Sequence, residues 1–260
     1  MSIDSAALLQ TICTIRKQLT RGITVAIENF HEHYHLRNME YYCETDCYNA
    51  PTISISPGKW GIGAFRSSMT CGTRGLLTYE LQSESFALTD RLFLIIGWHV
   101  PLVGDNSFFL HVAQVESPDF PTKEAERVRV YEFLSRKKMR AGKSIFCYVS
   151  PEIVDDQKQQ VKEKEDGKAD NMPKSCLTVC ASMATTSMAN LRVEIHPYQF
   201  AQDEQKTEGT IHIAGPPQKF SFTKLMEERF ANAEIKVNDA LEKFLGIKPE
   251  STVKDTRKNI

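Results

Sequence analysis

Side chains that could bind a metal are concentrated in three short stretches of the sequence. Two Cys-x-x-x-Cys pairs occur, Cys43 with Cys47 and Cys176 with Cys180, and residues 31–35 read His-Glu-His-Tyr-His. Structural zinc sites space their cysteines by about two to four residues, so the spacing alone permits a metal. On a strand, however, Cys176 and Cys180 would lie about 13 Å apart, too far to share one ion. We therefore predict no metal site and interpret residues 31–35 as a turn between the first two strands.

The motifs of nucleophilic catalysis and phosphate binding do not occur in the sequence. It contains no Gly-x-Ser-x-Gly elbow, no His-Glu-x-x-His pair and no P-loop. His99, next to Trp98, has the chemistry of a general acid or base, but no partner accompanies it in the sequence. The sequence thus predicts a binding protein, with neither enzymatic activity nor a cofactor.

Arginines and lysines cluster in residues 127–143. Such side chains attract anionic lipid head groups by about 1 kcal/mol each near a charged surface. The cluster is interleaved with Val128, Val130 and Phe133, so an ordinary solvated helix face explains it equally well. The candidate contacts with a lipid surface are Arg136, Lys137, Lys138 and Arg140.

Composition restricts the class of protein further. The chain has 260 residues and a net charge of −1, whereas general nucleic-acid binders carry a large basic excess. No apolar run approaches the length of about 18 residues that a transmembrane helix needs. The seven cysteines are odd in number, and residues 1–10 lack the features of a secretory signal. We predict synthesis in the cytosol as a soluble protein with reduced thiols, and action after release or at a target membrane.

An amphipathic helix is predicted within residues 1–20, at 5–19, with Asp4 or Ser5 as its cap. Its apolar residues are Leu8, Leu9, Ile12, Ile15 and Leu19. A stripe of this kind usually docks on a core, and the alternative is a helix that can be extracted into a membrane.

Two further helices are predicted. The first covers residues 122–138, because Thr122 can cap it and acidic and basic residues flank its two ends. The second lies in residues 221–260, where an apolar stripe runs from Met226 to Phe244 before Gly246. We interpret this C-terminal extension as a helix that could bind a partner protein or a second copy.

Short runs of β-branched and aromatic residues between the helices predict strands. Their bounds are 23–27, a run ending at 43, a run starting at 52–55, then 76–81, 92–100, 108–115, 144–149, 177–183 and 191–196. Many short strands with flanking helices predict a mainly β protein, a β-sandwich. This domain should cover residues 1–198 and contain a charged loop insertion at 155–171. A polar linker at 199–220 should follow the domain.

The stretch from Cys71 to Val115 holds three of these strands, and the middle one ends in Trp-His-Val-Pro. With its glycine-rich start and aromatic third strand, it resembles the centre of the actinoporin-like family of pore-forming cytolysins. The resemblance covers roughly residues 2–197. It implies a β-sandwich with N-terminal and central helices that binds membrane lipid, oligomerises and inserts its N-terminal helix as a cation-permeable, cytolytic pore.

The resemblance also implies head-group-binding residues. Carried over one by one, these are His99, Pro101, Phe108, Phe109 and Tyr131. The loop at 102–107 lacks the family's tyrosines and tryptophans, and Ser135 and Arg136 stand where the family has a tyrosine pair. Since aromatic faces recognise the choline cation, we predict that choline-lipid binding is weak or absent.

Fungal fruit-body lectins share this sandwich and bind glycans without forming pores. The alternative function is therefore a soluble, non-lytic module that binds a glycan or a protein.

Overall fold

The computed structural model describes residues 3–18, 21–67, 71–115, 123–151, 175–198, 210–215 and 217–220. The helices in these ranges are α1 (Ser5–Gln18) and α2 (Glu124–Leu134), which a 3₁₀ turn (Ser135–Lys137) follows. The strands are β1 (Gly22–Asn29), β2 (Tyr34–Cys43), β3 (Asp46–Asn49), β4 (Lys59–Arg66), β5 (Thr73–Ser83), β6 (Arg91–Val100), β7 (Ser107–Val115), β8 (Met139–Arg140), β9 (Ser144–Val149), β10 (Leu177–Met183), β11 (Met188–Pro197), β12 (Thr210–Gly215) and β13 (Gln218–Phe220).

The strands form two sheets. The first sheet has the order β12-β9-β10-β11-β1-β4-β3, and the second has the order β13-β7-β6-β5-β2 with β8 paired to β7. Neighbouring strands are antiparallel except for β1 with β11, β12 with β9 and β13 with β7. The β-sandwich predicted from the sequence is therefore confirmed.

The core lies between the two sheets. Ile23, Val25 and Ile27 of β1 face inward, and Trp98 of β6 stacks on Phe65 of β4 with ring centroids 4.4 Å apart. Each large apolar side chain buried in this way stabilises the fold by roughly 1.5–3 kcal/mol. Alternate residues of β6 and β7 belong to this core, so their other side chains lie on the outer face of the sheet, where nearly all of them are buried as well.

Most of the predicted strands are confirmed. Residues 144–149 and 177–183 have the predicted bounds, and the strands predicted at 76–81, 92–100, 108–115 and 191–196 are longer by one to five residues in total. The turn predicted at residues 31–35 lies between β1 and β2, although its last residues already belong to β2.

The strand predicted to start at residues 52–55 is wrong. Ile55 forms only an isolated bridge with Leu36, and Ile53 is 75% exposed. The regular strand is β4, which the sequence analysis missed because its glycines break the usual β pattern. Gly61 is required there, since a Cβ atom would lie 2.4 Å from Cδ1 of Ile55.

Two strands lie in the range predicted as a linker, residues 199–220. β12 pairs in parallel with β9, and β13 pairs in parallel with β7, so each extends one edge of a sheet. The sequence Thr-Ile-His-Ile-Ala at 210–214 has the alternation of a strand, but the polar residues before it and the prolines after it favoured a linker.

The predicted helices at 5–19 and 122–138 are both present and shorter. Asp4 caps α1, because its carboxylate accepts a hydrogen bond from the backbone N–H of Ala7 at 3.0 Å. α2 begins after Lys123, whose backbone N–H donates to Glu126 at 3.2 Å, and the predicted cap Thr122 lies outside the described residues. No helix in the described ranges is both long and apolar enough to cross a bilayer. The predicted loop at 155–171 and the helix at 221–260 also lie outside these ranges.

Candidate functional site

One end of the sandwich carries the basic side chains singled out in the sequence. It is formed by the loop at 101–106, by β8 with its flanking residues 135–143, and by residues 184–187, and we call it the basic end. The side-chain amide of Asn106 fixes it, donating to the carbonyl oxygens of Ala184 at 3.3 Å and Thr186 at 2.8 Å. The carbonyl of Asn106 in turn accepts from the N–H of Ala141 at 2.8 Å. The loop is therefore held in a defined position.

The tip of this loop projects an apolar side chain into solvent. Val103 is 91% exposed, the largest exposure among the big apolar side chains that the structure describes. Gly104 follows with φ +102°, a left-handed conformation that favours glycine and turns the chain back.

Basic side chains occur in the segment that adjoins the loop. Arg136, Lys138 and Arg140 are all exposed, and Arg140 forms an ion pair with Asp105 of the loop at 3.5 Å. The guanidinium of Arg136 lies 5.8 Å from the ring of Phe133, which is 38% exposed. The side chain of the fourth predicted contact, Lys137, lies outside the described residues. Of the predicted basic contacts, Arg140 therefore touches the loop, Lys138 lies near His99 at its border, and Arg136 lies beside Phe133 in the adjoining 3₁₀ turn.

The two strand-end residues carried over from the resemblance lie at the border of the basic end. His99 and Pro101 are both half-buried. Burial lowers the pKa of His99, and the nearby charges of Lys138 and Arg74 lower it further. His99 is therefore neutral at pH 7 and adds no charge to the surface.

The aromatic residues carried over are buried and do not form an open cage. Phe108 is 1% exposed in the core, and Phe109 is 2% exposed on the outer face of the second sheet, 5.7 Å from Tyr131. The hydroxyl of Tyr131 donates to the carbonyl of Trp98 at 3.2 Å, and burial raises its pKa to about 12. Burial of these three side chains disfavours the head-group role that the resemblance implied for them.

The surroundings of Tyr131 include residues that the sequence analysis missed. The ring of Tyr42 lies 6.2 Å away, and the guanidinium of Arg74 lies 6.0 Å above the Tyr131 ring while it pairs with Glu44 at 2.7 Å. Only the pairing of β2 with β5 brings these residues together, and no local pattern indicates it.

α1 rests on the outer face of the first sheet. Leu8 and Ile12 are 3% and 5% exposed, and together with Ala26 and Ile62 they form a small apolar cluster apart from the main core. Ile15 packs partly against this cluster. Of the other two predicted helix residues, Leu9 is 60% exposed and Leu19 lies outside the described residues.

The surface beneath α1 is otherwise polar. Glu28 is 1% exposed, accepting from Ser5 of the helix at 3.4 Å and from Nε of Arg192 at 2.6 Å. On the same face of the sheet, Thr24 pairs in register with Asn190. Removal of the helix would therefore uncover a mixed surface, with the apolar Ala26, Ile62 and Trp60 beside polar groups, and would leave the main core between the sheets covered.

The opposite end of the sandwich carries the histidines of residues 31–35. His31 is 2% exposed; its Nε2 lies 3.2 Å from the carbonyl of Cys176, and its Nδ1 accepts from the N–H of His33 at 3.1 Å. Burial is the main cause that lowers the pKa of His31 to about 4. This histidine therefore ties the β1–β2 turn to the start of β10 as a neutral group.

An open cleft of about 590 Å³ lies at this same end, along the β5–β6 hairpin. Its polar groups are held in place: Arg91 pairs with Glu80 at 2.7 Å, and Asp90 accepts from Gln114 at 2.9 Å. Phe86 is among its apolar lining residues. The cleft thus combines fixed hydrogen-bonding groups with an apolar wall.

Comparisons with known proteins give a likeness in structure and none in sequence. No protein-family model and no curated protein matches the chain. It is similar to the lipid binding protein Nakanori, with a TM-score of 0.47 and 12% identity over 74% of this chain and 80% of that one. It is also similar to the lectin XCL of Xerocomus chrysenteron, with a TM-score of 0.32 and 13% identity over 67% of this chain and 97% of that one.

Proposed function

We propose that this protein binds anionic bilayers through its basic end and then inserts α1, copies of the chain associating to form a pore. The observation that carries the proposal is the position of Val103, 91% exposed at the tip of a fixed loop whose Asp105 pairs with the exposed Arg140. An apolar tip enters the interfacial region, while the surrounding cations contact lipid phosphates.

The chemistry of this end favours an anionic lipid over a choline lipid. Arg136, Lys138 and Arg140 would each contribute about 1 kcal/mol near a charged surface. Recognition of choline requires open aromatic faces, and the aromatic residues at this position, Phe109 and Tyr131, are buried. Binding should therefore depend on the negative charge of the bilayer and weaken as salt is added.

The second step follows from the way in which α1 is held. Its apolar contact with the sheet is a small cluster of four buried residues with Ile15 and Trp60 packed partly against it, and the polar groups of Glu28 and Arg192 lie beside this cluster. A helix held in this way can leave without exposing the main core. In an oligomer, the polar side of such a helix would face a water-filled pore and its apolar side would face lipid.

Charge reversal tests the first step. Lys138→Glu should reduce binding to vesicles of phosphatidylserine and phosphatidylcholine at least tenfold in a co-sedimentation assay, because it reverses a charge beside the lipid. Lys59→Glu makes the same change at an exposed residue where β4 begins, far from the loop, and serves as the control. The proposal would be contradicted if Lys138→Glu bound as tightly as Lys59→Glu. It would also be contradicted if the unmodified protein bound neutral vesicles and did not bind anionic ones.

Dye leakage tests the second step. Ile12→Asp places a charge on the inserting face at a cost of about 3 kcal/mol in hydrocarbon, so leakage should stop while vesicle binding continues. Thr14→Asp adds the same charge at an exposed position of α1, and it should retain most of the leakage. Undiminished leakage by the Ile12 variant would show that α1 only packs on the sheet.

A second candidate function is recognition of a glycan without pore formation. The cleft at the β5–β6 hairpin favours it, since fixed carboxylates and a guanidinium beside an apolar wall suit the hydroxyls and the flat face of a sugar. In this case a glycan should bind to the unmodified protein, and Asp90→Ala should weaken it at least fivefold with vesicle binding unchanged. Absence of binding across a glycan array would remove this candidate.

A further inference from the structure

Arg21 links the helix to the loop of the basic end. It is the third residue after the end of α1, and its Nη2 donates to the carbonyl oxygens of Pro101 at 2.8 Å and Leu102 at 2.5 Å. Its own carbonyl accepts from the N–H of Ser67 at 3.2 Å. Arg21 thus belongs to the chain that follows α1, and its side chain binds the loop that carries the apolar tip.

The pivot for any movement of α1 must lie at or before Arg21, because the next residue is fixed. Gly22 begins β1 and pairs with Met188 on one side and Arg66 on the other. Its φ is +152°, and a Cβ atom there would lie 2.2 Å from the carbonyl oxygen of Phe65, so the backbone has no room to shift. Arg21 is therefore the last described residue before this fixed point that could take part in a movement of α1.

The backbone directly before the two carbonyls that Arg21 binds is also tightly packed. A Cβ atom on Gly72 would lie 2.0 Å from the carbonyl oxygen of Val100 and 2.6 Å from Cα of Pro101. Because Pro101 and Leu102 are neighbours in the chain, displacement of residues 101–102 by a bilayer would remove both acceptors from the guanidinium at once. Nε of the same guanidinium has no hydrogen-bond partner among the described residues.

We infer that Arg21 is a positioning residue that couples loop and helix: it holds α1 docked while the loop is undisturbed, and it frees the pivot when the loop meets lipid. The inference rests on the proposed function. Coupling between two sites is reciprocal, so loosening the loop must loosen α1, and loosening α1 must loosen the loop by the same factor.

Hydrogen exchange in lipid-free buffer tests the coupling. Asn106→Ala removes the two bonds that fix the loop and touches no residue of α1. We expect it to speed exchange of the α1 amides about fivefold. In a chain that already carries Arg21→Ala, the α1 amides should exchange faster from the start, and Asn106→Ala should not increase their exchange rate further. The control is Arg16→Ala, in which Asn106→Ala should still increase the exchange rate about fivefold.

A second measurement keeps Arg21 in place. Ile12→Ala weakens α1 docking and should speed exchange of the loop amides at 102–106, while amides of β6 stay as slow as before. The coupling would be overturned if the effects of Arg21→Ala and Asn106→Ala on α1 exchange were additive. It would also be overturned if Ile12→Ala left the exchange rate of the loop amides unchanged. Neither result depends on lipid, so a chain that passes both tests and fails to bind anionic vesicles contradicts only the proposed function.

Discussion

The two helices cover opposite sheets, and they are held in different ways. α2 buries Val130, Tyr131 and Leu134 against the second sheet, and its Arg127 pairs with Glu40 at 2.9 Å. Among the described side chains of α1, only Leu8 and Ile12 are fully buried, next to the carboxylate of Glu28. Under the proposed function, α2 is a fixed part of the fold, whereas α1 is the element that we expect the sandwich to release.

The largest contrast should come from one charge placed under each helix. Val130→Asp buries an unpaired carboxylate at a position with 0% exposure and should cost on the order of 4 kcal/mol of unfolding free energy or more. Ile12→Asp should cost no more than about 2 kcal/mol, because α1 can undock and return the charge to water. Urea denaturation followed by tryptophan fluorescence measures both. Equal losses would show that α1 is as integral as α2.

Acid should act on the sandwich itself and on neither helix. The pKa of His31 is lowered to about 4, below its unfolded value of 6.5, so the unfolded chain binds the proton first as the pH falls. Stability should therefore decrease from about pH 6.5 towards pH 4, by up to about 3 kcal/mol. His31→Gln should flatten this dependence in denaturation curves at pH 7 and pH 5. Ile12→Ala should leave the slope as it is; a steep slope in His31→Gln would assign the effect to another group.

The sequence predicted the sandwich because the alternation of its strands is local. It also predicted the stripe of α1, since helical spacing can be read directly from Leu8, Ile12 and Ile15. It missed β12 and β13 because edge strands of this kind depend on partners far away in the chain.

The site was less predictable than the fold. Phe108, Phe109 and Tyr131 were carried over as head-group ligands, yet the pairing of distant strands and the packing of α2 bury them. The contact of Arg21 with residues 101–102 spans about 80 residues and leaves no local signal. The basic residues around β8 were found because charge stays at the surface whatever the sheet topology.

A smaller effect should separate packing from lipid recognition at α2. Tyr131→Phe removes the hydroxyl that donates to Trp98, which should lower the unfolding free energy by about 1 kcal/mol. Vesicle binding should not change, because the hydroxyl is buried. Loss of binding to choline lipid in this variant would instead restore the head-group role that the resemblance implied.

The smallest effects on stability should come from the exposed ion pair of the basic end. Asp105→Ala and Arg140→Ala each remove one partner of a pair worth less than about 1 kcal/mol. Their effects on binding to anionic vesicles should be opposite, since Asp105→Ala removes a negative charge and Arg140→Ala a positive one, about fivefold each way. Changes in the same direction would show that the ion pair only shapes the loop.

The central claim, that α1 leaves the sheet at a bilayer while α2 stays, can be tested with two labels. The first variant keeps Cys13, an exposed cysteine of α1, as the labelling site. The second variant carries Cys13→Ser and Ala125→Cys, which moves the labelling site to an exposed position of α2. Cys71→Ser removes the other exposed thiol from both variants. Each variant is labelled with a fluorophore and mixed with anionic vesicles whose acyl chains carry a quencher. We predict strong quenching of the label at Cys13 and little at Ala125→Cys. Vesicle binding with neither label quenched would contradict the claim.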